Sequence, residues 1–330
     1  MPMKAWLLRE KTGLGALECA EVAAPEPGAG EVLVRVRFAA LNPADYYLAE
    51  NRYPANPPMP HVLGRDGVGV VERTGTGAER FAAGDLVTIL RGGTGVSRAG
   101  TLAEYVVVPE AELVPKPADW SDEEAAGAAL VLLTAHQALT QWGPLAPGAT
   151  VVVSGATGGV GVAAIQLGRA MGCRMVGLSR SAQKGARLRE LGAELVLDPN
   201  DAELVEKMKD FSGSERVALV VDNVAGTLFP KLVAMLGTLG AISCVGRLAG
   251  PVPEFNTGTL FFRRNRIGGV SAGAYTAAEA QATWEQALAL LRAAGARPVV
   301  DGVFDFEALP AAFARLKQGP MGKVLVRVGA

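Results

Sequence analysis

Two glycine-bearing stretches hold the residues whose types and spacing could do chemistry. The first is Val151-Val-Val-Ser-Gly-Ala-Thr-Gly-Gly-Val-Gly161, followed directly by Val162-Ala-Ala-Ile-Gln-Leu-Gly-Arg169. An apolar run enters a glycine-rich turn and leaves it as a helix-patterned segment. Glycines let a backbone approach a pyrophosphate, and a helix N-terminus offers free N–H groups and the positive end of its dipole to the anion. Ala156, Gly158 and Gly161 occupy the three fingerprint positions of a dinucleotide site, with alanine in the first. Ala156, Thr157, Gly158, Gly159 and Val160 are therefore the candidate cofactor-lining residues of this turn. A helix start that needs only tight packing could use the same glycines, but the strand before and the helix after favour the dinucleotide.

The end of the next strand discriminates between cofactors. Folds that prefer NAD place an acidic residue about 20 positions after the fingerprint, to hold the ribose 2′-hydroxyl. Here the strand ends Gly177-Leu-Ser-Arg-Ser181, with Lys184 beyond it and no acid until Glu190. A carboxylate would repel a 2′-phosphate, whereas Ser179, Arg180 and Lys184 can bind one through charge-assisted hydrogen bonds. NADP(H) is favoured over NAD(H), against the blander reading of a solvated basic turn.

The second stretch, Leu63-Gly-Arg-Asp-Gly-Val-Gly69, follows His61 and admits three readings: a metal site, a phosphate cradle or a tight turn. It lacks the strand–turn–helix context of a cradle. Catalytic zinc takes three protein ligands, and only two histidines, His61 and His136, exist in the chain. His61, beside prolines, reads as a turn or surface residue, the glycines as backbone freedom for a turn between strands, and Arg65 and Asp66 as a salt-bridged pair.

The elements that must position these residues fall into two grammars. Up to residue 122 the chain reads as short strands: Val32–Phe38 alternates, and Val68–Val71, Asp85–Leu90 and Tyr105–Val108 are apolar or β-branched. Prolines and glycines punctuate the gaps, as in Tyr53–Pro60 and Arg91–Gly95. From Ser121-Asp-Glu-Glu124, a helix-start signal, strands alternate with helices as far as Ile267–Val270, which implies a parallel sheet covered on both faces. A long helix over Ala277–Ala294 follows. The tail returns to strand text at Pro298–Phe304, a helix at Phe306–Gln318 and a strand at Lys323–Val328. The organisation expected is an α/β protein: a β-rich domain of residues 1–122 and 296–330, with a doubly wound parallel-sheet domain, 123–295, inserted within it.

With these residues in hand, the chain resembles the medium-chain dehydrogenase/reductase superfamily, in its zinc-free quinone oxidoreductase branch. The marks are Leu41-Asn-Pro-Ala-Asp45 with Tyr47, the glycines of Leu63–Gly69, Ala83-Gly-Asp-Leu-Val87, Gly100-Thr-Leu-Ala-Glu-Tyr105, Gly155–Gly161 with Gln166, and Gly322-Lys-Val-Leu325. The resemblance implies a GroES-like catalytic domain and a Rossmann domain, with cofactor and substrate in a cleft between them. Zinc-bearing relatives carry Gly-His-Glu at Gly64-Arg65-Asp66, a cysteine at Asn42 and a third ligand near Val131; Arg65, Asn42 and Val131 are non-ligands, so the resemblance implies no metal. The cysteine quartet of a structural zinc lobe is missing near residues 91–100. By position, Asn42 and Tyr47 match polar residues facing nicotinamide and substrate, and Thr134 a threonine near the carboxamide. Gly246, Arg247, Val270 and Ser271 match the cradle of the nicotinamide half, and Asn223 lies toward the adenine side. Two departures stand out: Pro199 replaces a tyrosine that grips the 2′-phosphate, and a lysine common near Val131 is missing. Arg180 can substitute for the first. The resemblance also implies a homodimer built by pairing edge strands.

Composition sets the bounds. An apolar fraction of 49% with 20% charged residues describes a large-cored globular chain, and 32 basic against 33 acidic side chains give no excess for nucleic acid or an anionic membrane. Cys19, Cys173 and Cys244 lie far apart and imply no disulfide framework, which suits a reducing cytoplasm. The longest apolar stretch, Ala125–Leu133, is far short of the roughly 20 residues that span a bilayer. The function expected is hydride delivery from NADPH to a quinone or similar flat electrophile. Tyr47 is the candidate donor to the acceptor oxygen, since a phenol keeps its proton at neutral pH. Reduction of an enone, alkenal or enoyl thioester shares every motif. A non-catalytic NADPH-binding sensor or nucleic-acid binder rests only on Phe261-Phe-Arg-Arg-Asn-Arg266, a short cluster.

Overall fold

The computed structural model describes residues 1–90, 92–252 and 254–329; Arg91, at the head of the Arg91–Gly95 segment, lies outside the described residues. In chain order the elements begin with β1 (Pro2–Leu8), β2 (Leu17–Ala23), β3 (Glu31–Ala40), α1 (Pro43–Ala49), β4 (His61–Val62), β5 (Asp66–Thr74), β6 (Leu86–Ile89), β7 (Tyr105–Pro109), β8 (Leu113–Pro115) and α2 (Asp122–Ala126). Next come α3 (Ala129–Thr140), β9 (Thr150–Val153), α4 (Gly159–Ala170), β10 (Arg174–Leu178), α5 (Ala182–Glu190), β11 (Ala193–Leu197), α6 (Leu204–Ser212), β12 (Val217–Asp222), α7 (Phe229–Met235), β13 (Leu236–Cys244), α8 (Gly258–Arg263) and β14 (Arg266–Gly269). The chain closes with α9 (Ala277–Ala293), β15 (Val300–Asp305), α10 (Leu309–Lys317) and β16 (Lys323–Arg327). Two compact units result: Met1–Leu130 with Tyr275–Ala282 and Pro298–Ala330, and Val131–Ala274 with Thr283–Arg297.

In the first unit a seven-stranded sheet runs β15-β16-β3-β5-β6-β8, with β7 also paired to β3, beside a three-stranded sheet β2-β1-β4. Alternation along β3 explains its central place. Val32, Val34 and Val36 bury one face against Val71, Val87, Ile89, Val106, Val108 and Leu113, while Arg35 and Arg37 take the other side of the pleat. The C-terminal tail belongs to this unit. β16 pairs antiparallel with β3, and Phe306, Leu309 and Phe313 share a core with Trp6, Leu8 and Leu48. The Trp6 indole N–H donates to the Phe306 carbonyl at 2.9 Å.

In the second unit a six-stranded sheet runs β11-β10-β9-β12-β13-β14, with every neighbouring pair parallel. This is the doubly wound order, whose direction reverses between β9 and β12. β9 is buried on both faces, as a central parallel strand must be. α4 packs closely on the sheet because two helix positions lack side chains: a Cβ on Gly161 would lie 2.4 Å from the Gly155 carbonyl oxygen just after β9, and one on Gly168 would run into the Met175 thioether of β10.

Several elements were illegible in the sequence, among them the β1–β2 hairpin, α1, α3 and α8. α1 is only seven residues long, too short for a helical period. It is set instead by its start, where Asn42 caps, Pro43 occupies the first turn and the Asp45 carboxylate accepts the Asn42 N–H at 2.7 Å.

Three readings of the Leu63–Gly69 stretch need correction. His61 is not a surface turn residue: it lies in β4, buried, paired with Leu8 of β1. Only Gly64, with φ +100°, serves a turn; Gly67 and Gly69 lie within β5. There a Cβ on Gly69 would come within 2.3 Å of the Arg35 carbonyl oxygen, at an irregularity of the β3–β5 register. Arg65 and Asp66, finally, do not pair with each other, as described below.

Candidate functional site

The C-terminal edge of the parallel sheet in the second unit gathers most of the sequence-derived cofactor residues. Ala156–Val160 follow β9, Ser179–Lys184 follow β10, Asn223 follows β12, Gly246 and Arg247 follow β13, and Val270 and Ser271 follow β14. Parallel strands present all their C-terminal ends on one side, so the topology alone collects these segments. Thr134 sits apart from them in sequence order, buried on α3.

The turn after β9 is built for an anion. Gly155 takes φ +56°, a left-handed conformation that favours glycine. The Gly158 N–H donates to the Gly155 carbonyl at 3.1 Å and closes the turn. Gly158 then caps α4 with no side-chain hydrogen bond, and no acidic residue stands in the first turn. The first N–H groups of the helix therefore present uncompensated positive charge. A Cβ on Gly158 would meet nothing nearer than the Gly155 oxygen, at 3.6 Å. Open space in front of a bare helix N-terminus fits a dinucleotide pyrophosphate.

At the end of β10, the Ser181 hydroxyl accepts the Lys184 N–H at 3.3 Å and so caps α5. Ser179 exchanges hydrogen bonds with the Ser181 backbone at 3.2 Å. The Arg180 side chain is exposed. Glu190, the first acid beyond, is engaged by Arg187. These residues fit the 2′-phosphate of NADP(H).

Ser154 and Asp222, which motif reasoning passed over, tie this edge together. The Ser154 hydroxyl donates to Asp222 at 2.5 Å and accepts the Asn223 N–H at 2.9 Å. The Asn223 amide donates back to the Ser154 carbonyl at 2.8 Å, so its side chain clamps the glycine-rich turn. Asp222 is buried and also accepts the N–H groups of Val224 and Ala225. The only available signal was a lone carboxylate closing the apolar run Val217–Val221. Gly246 donates to the Asp222 carbonyl, and a Cβ there would press on the Asn223 oxygen at 2.8 Å. Cys244 follows on the same edge, its thiol pushed up to about 11 by burial and then by Asp222.

The first unit holds a buried ionic network around Asn42. Lys323 donates to Asn42 Oδ1 at 2.7 Å and to Asp66 Oδ2 at 3.0 Å. Asn42 Nδ2 donates to the same Asp66 oxygen at 2.9 Å and to the Ala40 carbonyl at 3.2 Å. Asp66 Oδ1 accepts the Leu130 N–H at 3.0 Å. Arg65 turns instead toward Asp45, 3.6 Å away, and donates to the Tyr53 hydroxyl at 3.0 Å. Burial raises the Asp45 carboxyl to about 6, and Arg65 only partly opposes the shift. Burial also lowers the His61 imidazole, with Arg65 adding to the effect.

Tyr47 stands on α1 beyond this network, half-buried, with its ring edge-on to Tyr46 at 4.6 Å and the Arg52 guanidinium 4.7 Å over its face.

Zinc does not fit these residues. The Asp66 carboxylate is taken by an ammonium, an amide and a backbone N–H, and Arg65 has no lone pair to give a metal. Among the described residues, no group of three or more histidine, cysteine or carboxylate side chains could hold a metal ion.

Comparison with known proteins defines the class. Residues 28–118 match the alcohol dehydrogenase GroES-like domain, and residues 159–293 match the zinc-binding dehydrogenase model. A quinone oxidoreductase of Pseudomonas aeruginosa is 32% identical over 248 residues, 75% of this chain and 74% of that protein. The chain belongs to the medium-chain dehydrogenase/reductase superfamily. The synaptic vesicle membrane protein VAT-1 homolog of Rattus norvegicus is 35% identical over 69% of this chain, a match that spans only 55% of that relative's length. Among solved structures, an NAD-dependent alcohol dehydrogenase superposes with a TM-score of 0.90 at 32% identity, covering 99% of this chain and 100% of its own. The Escherichia coli quinone oxidoreductase complexed with NADPH superposes with a TM-score of 0.88 at 25% identity, covering 98% and 99%.

Proposed function

We propose that this chain is an NADPH-dependent, zinc-independent oxidoreductase that reduces a quinone or a similarly flat, activated enone. The observation that carries the reading is the sheet edge of the second unit. A bare helix N-terminus behind an open glycine turn is followed, one strand later, by a serine–arginine turn free of acid. NADPH supplies the hydride when bound, and the P. aeruginosa and E. coli relatives are quinone oxidoreductases. Ala156–Val160 hold the pyrophosphate, and Ser179, Arg180 and Lys184 the 2′-phosphate. Asn223 shapes the adenine side through its clamp on Ser154. Thr134, Gly246, Arg247, Val270 and Ser271 orient the nicotinamide half. One of the structural neighbours is NAD-dependent; the acid-free turn after β10 favours NADPH here.

Tyr47 donates a hydrogen bond to the acceptor oxygen as negative charge develops there, the electrostatic work a zinc ion would otherwise do. Asn42 serves differently from the direct contact implied by resemblance. Both ends of its amide are engaged within the ionic network, so it supports α1. The chain works as a homodimer in the cytoplasm. β14 is an edge strand of the six-stranded sheet, and beside it in sequence Phe261 and Phe262 are 76% and 84% exposed.

The test follows NADPH and NADH oxidation across quinones, enones and aldehydes, with metal content measured on the same sample. NADPH-dependent turnover of quinones or enones by metal-free protein is expected. Activity with NADH alone, or one bound zinc per chain, overturns the reading. Tyr47→Phe lowers kcat/KM for every acceptor, and an unchanged value removes Tyr47 from the mechanism.

A further inference from the structure

The ionic network of the first unit joins three distant points of the chain: the cap of α1 at Asn42, the start of β5 at Asp66 and the start of β16 at Lys323. Lys323 and Asp66 are both buried. A buried ion pair is weak as a source of stability, because desolvation offsets most of the Coulomb attraction, but it specifies position tightly. The hydrogen-bond pattern shows what is positioned. The Lys323 ammonium fixes Asn42 Oδ1 at 2.7 Å, Asp66 and the Ala40 carbonyl fix Asn42 Nδ2, and Asp45 fixes the Asn42 N–H. The residue that starts α1 has no remaining freedom of rotation, and Tyr46 and Tyr47 follow on the next turn. The lysine stem is itself confined, since a Cβ on Gly127 would meet its Cβ and Cγ at 3.1 and 3.2 Å.

We infer that Lys323 is a positioning residue: its ammonium is the resident cation of this site, and through Asn42 it sets the start of α1 and with it the Tyr47 ring. The inference rests on the proposed role of Tyr47. Beside Asn42 and Arg65, where the resemblance places two of the zinc ligands, this chain assembles an organic cation on the Asp66 carboxylate and the Asn42 amide. The cation here organises the support of the donor and does not touch the substrate.

The test compares Lys323→Met, which keeps length and loses charge, with the native chain, each with and without Tyr47→Phe. In K323M, kcat/KM for the acceptor falls about tenfold, the scale on which slight misplacement of a catalytic group is felt. Binding of NADPH, measured by fluorescence titration, stays within twofold. In the Y47F background the same change costs nothing further. In 13C-tyrosine NMR spectra, K323M moves the Tyr46 and Tyr47 ring signals and leaves Tyr275 in place. Unmoved Tyr47 signals, or an equal loss in both backgrounds, overturn the inference. Moved signals with a fully active Y47F support the positioning role while refuting Tyr47 as donor. If K323M does not fold, Lys323→Arg carries the test. It keeps the charge, but a planar fork cannot reproduce both bonds from one atom, so about a threefold, Tyr47-dependent loss is expected, and no loss overturns the inference.

Discussion

Replacing Gly158 and Gly161 with alanine separates the two jobs that glycines do in one turn. At Gly161 the added methyl lies 2.4 Å from the Gly155 oxygen and 2.6 Å from the Ala156 Cα, backbone atoms that no rotamer change can move aside. Overpacking of this kind costs about 1–3 kcal/mol, and contact with backbone puts it at the upper end. The better helix propensity of alanine returns about 1 kcal/mol. A net loss of about 2 kcal/mol lowers Tm by about 4–8 °C for a unit of this size. Gly158 is the opposite case. Its φ of −73° and ψ of 171° suit any residue, and the methyl meets only the Gly155 oxygen, at an ordinary 3.6 Å. Alanine is a poorer N-cap by up to about 1 kcal/mol, and the reduced freedom of the unfolded chain returns about 0.4–1 kcal/mol. Tm therefore stays within about 2 °C. The methyl nevertheless stands before the α4 N–H groups, each worth about 1.5–3 kcal/mol to a phosphate, so the NADPH Kd rises at least about tenfold. Calorimetry and fluorescence titration read the two quantities separately. Native NADPH affinity in G158A refutes the anion cradle, and a native Tm in G161A refutes the packing argument.

Three further outcomes are expected. Arg180→Glu places a carboxylate where NAD-preferring folds carry one, so NADPH affinity falls by about 10- to 100-fold while NADH is used as well or better; steady-state kinetics with both cofactors checks the ratio. The Asp45 carboxyl, at about 6 in the fold against an ordinary 3.8, binds more protons folded than unfolded between those values. Its contribution to stability therefore declines as pH rises from about 4 to about 6 and is flat above, by about 3 kcal/mol at most. Urea denaturation should show the native chain losing ground to Asp45→Asn across that window, and Arg65→Ala costing about 3 kcal/mol at pH 8 but less at pH 5. If the proposed homodimer forms through this face, Phe262→Glu converts it to monomer in sedimentation experiments, and an unchanged sedimentation coefficient removes that face from the interface.

The glycine fingerprint, the acid-free turn after β10 and the alternation of strands and helices were legible because each is local. A strand–turn–helix that binds an anion is specified by about twenty consecutive residues, and parallel topology then collects the strand ends on one edge without further instruction. The Ser154–Asp222–Asn223 clamp was less legible, since hydrogen bonds between neighbouring strands leave no spacing in a sequence. α1 was illegible for a different reason: seven residues cannot show a period, and its start depends on Asn42 being held by Asp66 and Lys323.

The Leu63–Gly69 stretch marks where sequence stops deciding. By itself the sequence supported only the expectation that no zinc is held there, because Asn42 and Arg65 stand where the resemblance places ligands. It could not determine what stands there instead. Adjacency suggested an Arg65–Asp66 pair, yet Asp66 opens β5 and Arg65 lies just before the strand, and the two charges part. Asp66 meets Lys323 at 3.0 Å and Arg65 approaches Asp45 at 3.6 Å. Only the tertiary structure chose these partners, because the β16–β3–β5 pairing brings a lysine 257 positions away to the carboxylate.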